Sequence, residues 1–573
     1  MSGLIFSTNE KQQLLTIIAC DVKILTMNFA GKNKSFLAFF VVLFIALVIR
    51  IYLLATHGCI SDDGILYISL AKSIAAGNWS TVFQDLDFNV FPALLAGMYK
   101  LLNLFLPVSF EFSGWMLNLF FGLALIFPLF KIAERYFGLG AAVVTGFYLA
   151  FNPELCRMTC EVLRGPSYIC FSAWAIFLLL SAVSSKKVSD WNFRRIGLSA
   201  FLIFVASTIR LEAFVWLGCF TIVIFVSNIK GPYSFSTRLR KFSVIIILLP
   251  LLALAAIFGI KVLTGKWDFA RVDKIFAPYS LGKVKTKSEN PVETFIKTSK
   301  TTRYRPDGTA DPDKSQVYGF VNMAYTHRWI NYGSEILAAH WKAFHGIGVV
   351  LFLAGVFAVF KKRLITVTSP LSICAISAIV LFGTVFLLYV STKYYLATRH
   401  AMTLAIPGSV FIGATVFLFK PYSKKTIFAG IVVAIVALSF LSYKVFKPIR
   451  RKKKTMKKCG LILKEFLPAN AKLLASPTLR PVNFYAEKPT HKKVKVFDES
   501  IYKWFTRSPD RYLLINTSKQ WQLDYFKNFT GDMQKVEVDL PQTKRYSFSL
   551  YELESQRSKA KGQKDKFQIS NFK

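Results

Sequence analysis

Apolar runs of about 18 residues or more recur along the chain, and a run of that length crosses a bilayer as a helix. The first occupies 36–55, and short clusters of Lys and Arg stand between it and the later runs. This pattern sets the class: a mainly α, polytopic transmembrane helical bundle. Composition agrees, since 53% of the 573 residues are hydrophobic, at a mean hydropathy of +0.42. Lys and Arg number 72 against 32 Asp and Glu, a formal charge of +40. The excess sits between apolar runs, where basic clusters orient helices and meet anionic headgroups. With no zinc-finger spacing and no RNP-like motif, the charge points to membrane lipids as partners and not to nucleic acid. Of the eight cysteines, Cys170, Cys219 and Cys374 fall inside apolar runs and read as small core residues. Cys156 and Cys160 have no His beside them, which argues against a metal site and leaves a disulfide open.

Charge alternation gives a topology. Residues 1–35 form a cytoplasmic tail, in which a short apolar run at 14–18 is interrupted by Asp21, and Met27 is a second candidate start. That run suits neither a signal peptide nor a span. Lys32 and Lys34 precede the first run, so the loop 56–90 lies outside. Residues 65–76 read as a helix along the interface, ended by Gly77-Asn78-Trp79. The segment 91–106, between Pro92 and Pro107, has two readings. As a non-spanning interfacial helix it leaves the later basic clusters inside; as a short span it would reverse them.

The runs at 114–130, 139–151, 165–183, 196–209, 213–229, 242–264, 344–360, 371–390, 402–419 and 426–446 follow, for about eleven spans. Residues 36–446 thus form a transmembrane domain containing a long extracytoplasmic loop, 265–341. Residues 447–573 read as a basic linker, a small extracytoplasmic α/β domain and a disordered tail. Strands are expected at 471–475 and 512–515, and helices at 461–466 and 521–526. The linker carries eight Lys and Arg between Lys447 and Lys458 on the side assigned as outside; a translocated domain obeys the charge rule poorly.

The candidate chemistry gathers at the outer helix ends. The first outer loop offers Ser61-Asp62-Asp63, Tyr67, Asp85 and Asp87. Adjacent carboxylates at the mouth of a spanning helix are costly to desolvate unless they face a polar cavity. Their second reading is as helix N-caps. Later outer segments add Arg157, Glu161 and Arg164, then Arg210 and Glu212, then Lys393, Arg399 and His400. The planar guanidinium suits phosphate, and a nearby carboxylate can act as general base or hold a divalent cation. Snorkelling at the interface is the other reading of each Arg and Lys.

In order and spacing these residues resemble the polytopic glycosyltransferases that use polyprenyl-phosphate sugars, of the GT-C superfamily. Protein O-mannosyltransferases and bacterial aminoarabinose transferases belong there. The residues carrying the resemblance are Ser61-Asp62-Asp63 with Tyr67, Gly77-Asn78-Trp79, the Asp87 to Pro92 approach, Glu161-Val162-Leu163-Arg164-Gly165-Pro166, Thr208-Ile209-Arg210-Leu211-Glu212, and Arg399-His400 with Pro407. It covers roughly 36–420. The chain has no Trp-Trp-Asp, the motif of oligosaccharyltransferases, and Asn89-Val90-Phe91-Pro92 stands where aminoarabinose enzymes carry Glu-Lys-Pro.

The resemblance implies transfer of a sugar from a polyprenyl-phosphate donor to a hydroxyl of a lipid, glycan or protein acceptor, with inversion. Asp63 with Asp62 would activate the acceptor and Glu161 support the site. Arg399 and Arg210 would hold the donor phosphate, with Arg164, Lys393, Tyr67, Asp87 and His400 contributing to substrate binding. A divalent metal ion, if used, would be held by Asp63 and Glu161. The expected location is a bacterial inner membrane with the site facing outward. The alternative class is a transporter or lipid flippase without catalysis, although the paired halves with broken midplane helices of many transporters are not evident.

Overall fold

The computed structural model describes residues 33–57, 60–79, 89–183, 192–229, 328–393, 396–418, 424–446, 451–468, 471–475, 480–487, 511–516, 533–536, 538, 540 and 548–553. The chain divides into two compact units. One comprises Met1–Thr56, Tyr67–Thr286 and Ala324–Lys447; the other comprises His57–Leu66, Lys287–Met323 and Pro448–Lys573.

The described residues of the first unit are helical. In chain order the helices are α1 (Asn33–His57), α2 (Asp62–Ala75, which crosses the unit boundary), α3 (Phe91–Asn103), α4 (Phe110–Ala124), α5 (Ile126–Phe151), α6 (Pro153–Thr159) and α7 (Gly165–Val183). They continue with α8 (Phe193–Ile209), α9 (Phe214–Ile229), α10 (Arg328–Phe344), α11 (Ile347–Lys361), α12 (Pro370–Lys393), α13 (Thr398–Gly413) and α14 (Lys424–Phe446). Among the described residues, five segments are long and apolar enough to cross a membrane, or six if the bent pair α10–α11 counts as one. The expected runs at 165–183, 196–209, 371–390 and 426–446 coincide with α7, α8, α12 and α14 to within a turn. The expected run at 242–264, residues 265–327 of the loop and the N-terminal tail up to residue 32 lie outside the described residues, while 328–341 of the loop belong to α10.

Side-chain contacts set the direction of the helices around α1. Lys131 Nζ donates to Ser35 Oγ at 3.1 Å, and Phe39 packs edge-on against Phe127 and Phe130 at 5.3 and 5.6 Å. Further along α1, the fully buried Arg50 donates through Nη2 to the Leu149 carbonyl at 3.2 Å. Ile45, Ile49 and Leu53 then pack with Cys156 and Cys160. The stretch from α4 into the start of α5 therefore runs antiparallel to α1, and the end of α5 returns parallel to it. Helix continues through Lys131 and Glu134, past the end of the run expected at 114–130. The reversal falls on Gly138 alone, at φ 82° and ψ 175°, a conformation open to glycine and costly for other residues. Cys156 and Cys160 are buried free thiols, which closes the disulfide alternative.

Helix α3 lies across the start of α4. Leu95 sits over Gly114, and Tyr99 stacks on Phe110 with ring centroids 3.6 Å apart. Its 13 residues extend about 20 Å at 1.5 Å each, short of the roughly 30 Å hydrocarbon core. This length favours the interfacial reading of 91–106.

The run expected at 344–360 is α11 to within a turn, and a bend of 96° separates it from α10. They meet at His345 and Gly346, at φ 58° and 59°. Beyond the bend, α11 passes so close to α13 that a β-carbon at Gly355 would collide with the Phe411 carbonyl oxygen. Gly355→Ala is expected to destabilise the protein by about 1–3 kcal/mol, read as a lower thermal midpoint in detergent. An unchanged midpoint would contradict the close approach. The run expected at 402–419 starts earlier, at Thr398, and tightens into a 3-10 turn at Ala414–Leu418.

The second unit contains α15 (Arg451–Phe466), α16 (Arg480–Tyr485) and a sheet of β1 (Lys472–Ala475), β2 (Arg511–Asn516), β3 (Met533–Val536) and β4 (Phe548–Leu553). The strand order is β1-β2-β4-β3. β1 pairs parallel with β2, and β4 pairs antiparallel with both β2 and β3. The core follows from two periods. Met456, Cys459 and Leu463 recur at helical spacing along α15, and alternate strand residues such as Tyr512 and Leu514 face them. Burial pushes the Cys459 thiol up to about 12, as befits a core residue. The strands expected at 471–475 and 512–515 are β1 and β2, whereas the helix expected at 521–526 lies outside the described residues.

Candidate active site

Helix α8 ends at Arg210, whose backbone is extended (φ −148°, ψ 124°). A 3-10 turn, Leu211–Ala213, then leads into α9. The sequence favours a turn here because two polar residues interrupt two apolar runs. The turn delivers Arg210, 4% exposed, into contact with the start of α13. Its Nη2 donates to Glu212 Oε1 at 2.9 Å, and its Nη1 donates to the Arg399 carbonyl at 3.3 Å. His400 Nδ1 lies 2.7 Å from the same Glu212 oxygen and 2.8 Å from Arg210 Nη2. The guanidinium stands over the Tyr168 ring at 5.4 Å, and the Tyr389 ring lies 4.9 Å from His400. Arg164 Nη1 donates to the Ile209 carbonyl at 3.1 Å, joining the preceding loop to the same turn.

A guanidinium withdrawn from water costs several kcal/mol unless it is paired. Glu212 supplies that pairing. Glu212→Ala leaves the buried Arg210 charge uncompensated, with an expected destabilisation of about 3 kcal/mol or more, visible in thermal unfolding. An unaltered midpoint would show that water already reaches the guanidinium.

Two polar atoms of this cluster are buried and lack a hydrogen-bond partner, Arg210 Nε and His400 Nε2, while the Tyr168 hydroxyl lies beside Thr403 and Trp216. Unsatisfied buried groups are rare and call for an explanation. Both are nitrogens able to donate, depending for His400 on its tautomer, so the cluster is suited to receive an anion.

The structure brings Arg164, Arg210, Arg399 and His400 to this end of the bundle. Arg399 is exposed. Tyr67, 5% exposed, stands within electrostatic range of Arg210 and packs edge-on against Phe91 at 5.1 Å. Glu161 is buried in the loop that carries Arg164, and its backbone carbonyl accepts from Asn118 Nδ2. Arg157 pairs with Glu154 on α6.

Asp63 is exposed near the start of α2 and belongs to the second unit. The cap of that helix is Ser61, whose Oγ accepts from the Gly64 N–H at 3.2 Å. Ser61 thus holds the cap position, and the Asp pair stands in the first turn of α2, where negative charge suits a helix N-terminus. Asp85 and Asp87, and the side chains of Asp62 and Lys393, lie outside the described residues. Among the described residues no group of three His, Cys, Asp or Glu side chains is placed to hold a metal ion. Sequence reasoning named Glu212 without giving it a role and passed over Tyr168 and Trp216, which look like ordinary members of apolar runs.

No protein-family model matches the chain, and no curated protein matches it. Solved structures do. ArnT from Cupriavidus metallidurans in the apo state aligns at 14% identity and TM-score 0.53, over 90% of this chain and 97% of that one. ArnT bound to undecaprenyl phosphate aligns at 14% and 0.53, over 91% and 98%. The Archaeoglobus fulgidus oligosaccharyltransferase AglB, in complex with an inhibitory peptide and a dolichol-phosphate, aligns at 12% and 0.51, over 92% and 75%. At these identities the likeness is one of fold. The chain thus has the fold that ArnT and AglB share, and its long apolar helices make it an integral, multi-pass membrane protein.

Proposed function

We propose that the protein transfers a sugar from a polyprenyl-phosphate donor to a hydroxyl of a lipid, glycan or protein acceptor, on the extracytoplasmic face of a bacterial inner membrane. The observation that carries this reading is the buried Arg210–Glu212–His400 cluster with its unpartnered polar atoms. It lies within a fold whose solved members are described with undecaprenyl phosphate and with dolichol-phosphate.

The reaction is a single displacement. Asp63, assisted by Asp62, takes the acceptor proton while the acceptor oxygen forms its bond to the anomeric carbon. The bond from that carbon to the phosphate oxygen breaks, and the electron pair leaves with the polyprenyl phosphate. Arg399 and Arg210 stabilise the departing charge. Glu161 supports the site, and Tyr67, Asp87, Arg164, Lys393 and His400 contribute to substrate binding. The test is a panel of polyprenyl-phosphate sugars given to the purified protein in lipid nanodiscs together with candidate hydroxyl acceptors. Consumption of one donor with release of polyprenyl phosphate supports transfer. Scrambling of an intact donor across vesicles, with no donor consumed, supports the flippase alternative.

The proposed topology places 265–341 and the domain within 447–573 outside the cytoplasm, and keeps 91–106 from spanning. Single cysteines introduced at 300–310 and at 520–530 are then expected to react with an impermeant thiol reagent added outside intact cells. Labelling from the cytoplasmic side alone would contradict it.

A further inference from the structure

The Nδ1 atom of His400 meets two groups with opposite demands. Arg210 Nη2, 2.8 Å away, can only donate a hydrogen bond; Glu212 Oε1, 2.7 Å away, can only accept one. One ring nitrogen cannot satisfy both together. Unprotonated, Nδ1 accepts from Arg210 and faces Glu212 lone pair to lone pair. Protonated, it donates to Glu212 and crowds Arg210. The far nitrogen, Nε2, is buried and has no partner, on a residue only 8% exposed. The charged and titratable groups facing the ring are Arg210 and Glu212 from the 3-10 turn, Arg399 on its own helix, Tyr389 from α12 and, behind Arg210, Tyr168 from α7.

Arg210 and Arg399 place two positive charges near the imidazole and Glu212 one negative charge, a net positive balance. A phosphate dianion arriving at Nε2 reverses that balance. The imidazolium then has a carboxylate for Nδ1–H and a phosphoryl oxygen for Nε2–H, so both of its N–H groups have acceptors. Arg210 keeps its bonds to Glu212 and to the Arg399 carbonyl, and its Nε–H, which has no partner, remains available as a further donor.

We propose that His400 takes up a proton from solvent when the cluster binds the phosphate of a polyprenyl phosphate, and that it bridges this phosphate to Glu212, which acts as its positioning residue. The inference rests on the glycosyltransferase reading and deepens it. Lipid phosphate would be retained more tightly at lower pH and released as His400 gives up its proton.

The experiment is calorimetry on the full-length protein in nanodiscs, with farnesyl phosphate as a short polyprenyl phosphate. Near pH 8 a phosphate monoester is already a dianion and brings almost no proton of its own. Titrations in two buffers of unequal ionisation heat then report the protons taken up. We expect about one proton per bound phosphate, with affinity rising by up to about tenfold per unit of falling pH while His400 titrates. His400→Gln, or His400→Asn should the first variant fold poorly, is expected to bind without that uptake. Glu212→Gln is expected to weaken binding about tenfold, the scale of one charge-assisted hydrogen bond, and to reduce the uptake. Inorganic phosphate should bind at least about tenfold more weakly, because it lacks the apolar chain. Wild-type binding with no uptake, or equal uptake in the His400 variants, overturns the inference and leaves the glycosyltransferase reading standing. Equal affinity for inorganic phosphate overturns the assignment to a lipid carrier. No binding of farnesyl phosphate to the wild-type protein overturns both.

Discussion

Asp63→Asn is expected to lower turnover of a polyprenyl-phosphate sugar by about 10²–10⁴, the usual cost of removing a general base. The substitution keeps size and most hydrogen bonding and removes charge and basicity. Asn caps a helix as well as Asp does, so a capping role would leave turnover intact. The structure makes that alternative weaker, since Ser61 Oγ already accepts from the Gly64 N–H. Asp63 is exposed, so it can meet an acceptor without a desolvation cost in the free protein. The variant should still bind polyprenyl phosphate, and its thermal midpoint should match the wild type. Near-normal turnover would remove Asp63 from the mechanism, and the same substitution at Asp62 and Glu161→Gln would rank the carboxylates.

Arg399→Ala is expected to weaken binding of polyprenyl phosphate by roughly ten- to a hundredfold, since a charge-assisted phosphate contact contributes about 1.5–3 kcal/mol. Arg399 stands exposed at the first turn of α13, and its carbonyl is held by Arg210 Nη1. Its guanidinium therefore projects from a backbone fixed by a buried group. Arg399→Lys should recover part of the affinity, because a point charge remains while the planar fork is lost. Arg210→Ala should be more damaging to folding than Arg399→Ala, because Arg210 is buried and bonded to two elements. Unchanged affinity in both alanine variants would refute the phosphate assignment.

What was legible in the sequence was whatever depends on local pattern. Apolar runs gave α7, α8, α12 and α14 because hydropathy over a full span needs no knowledge of neighbours. The two strands β1 and β2 were visible as short apolar stretches between polar ones. The reversal at Gly138 was hidden, because a single glycine in a helical stretch carries no mark of its φ until the chain must turn there. The bend at His345 and Gly346 was hidden for the same reason, at the junction where the polar-rich α10 meets the apolar α11. In the candidate site, arginines at helix ends stood out by type. Glu212 did not, since its role depends on His400, 188 residues away. Ser61 outcompeting the adjacent aspartates for the cap was also beyond a sequence argument, as all three are good capping residues.

The most direct test of the proposed chemistry is the anomeric configuration of the sugar in the product. Purified protein would be given the polyprenyl-phosphate sugar that it consumes and a hydroxyl acceptor, and the linkage in donor and product compared by nuclear magnetic resonance. Single displacement requires one molecule of polyprenyl phosphate released per sugar transferred, with the configuration at the anomeric carbon inverted. A product that retains the donor's configuration, or a donor recovered intact after incubation with active protein, would contradict it.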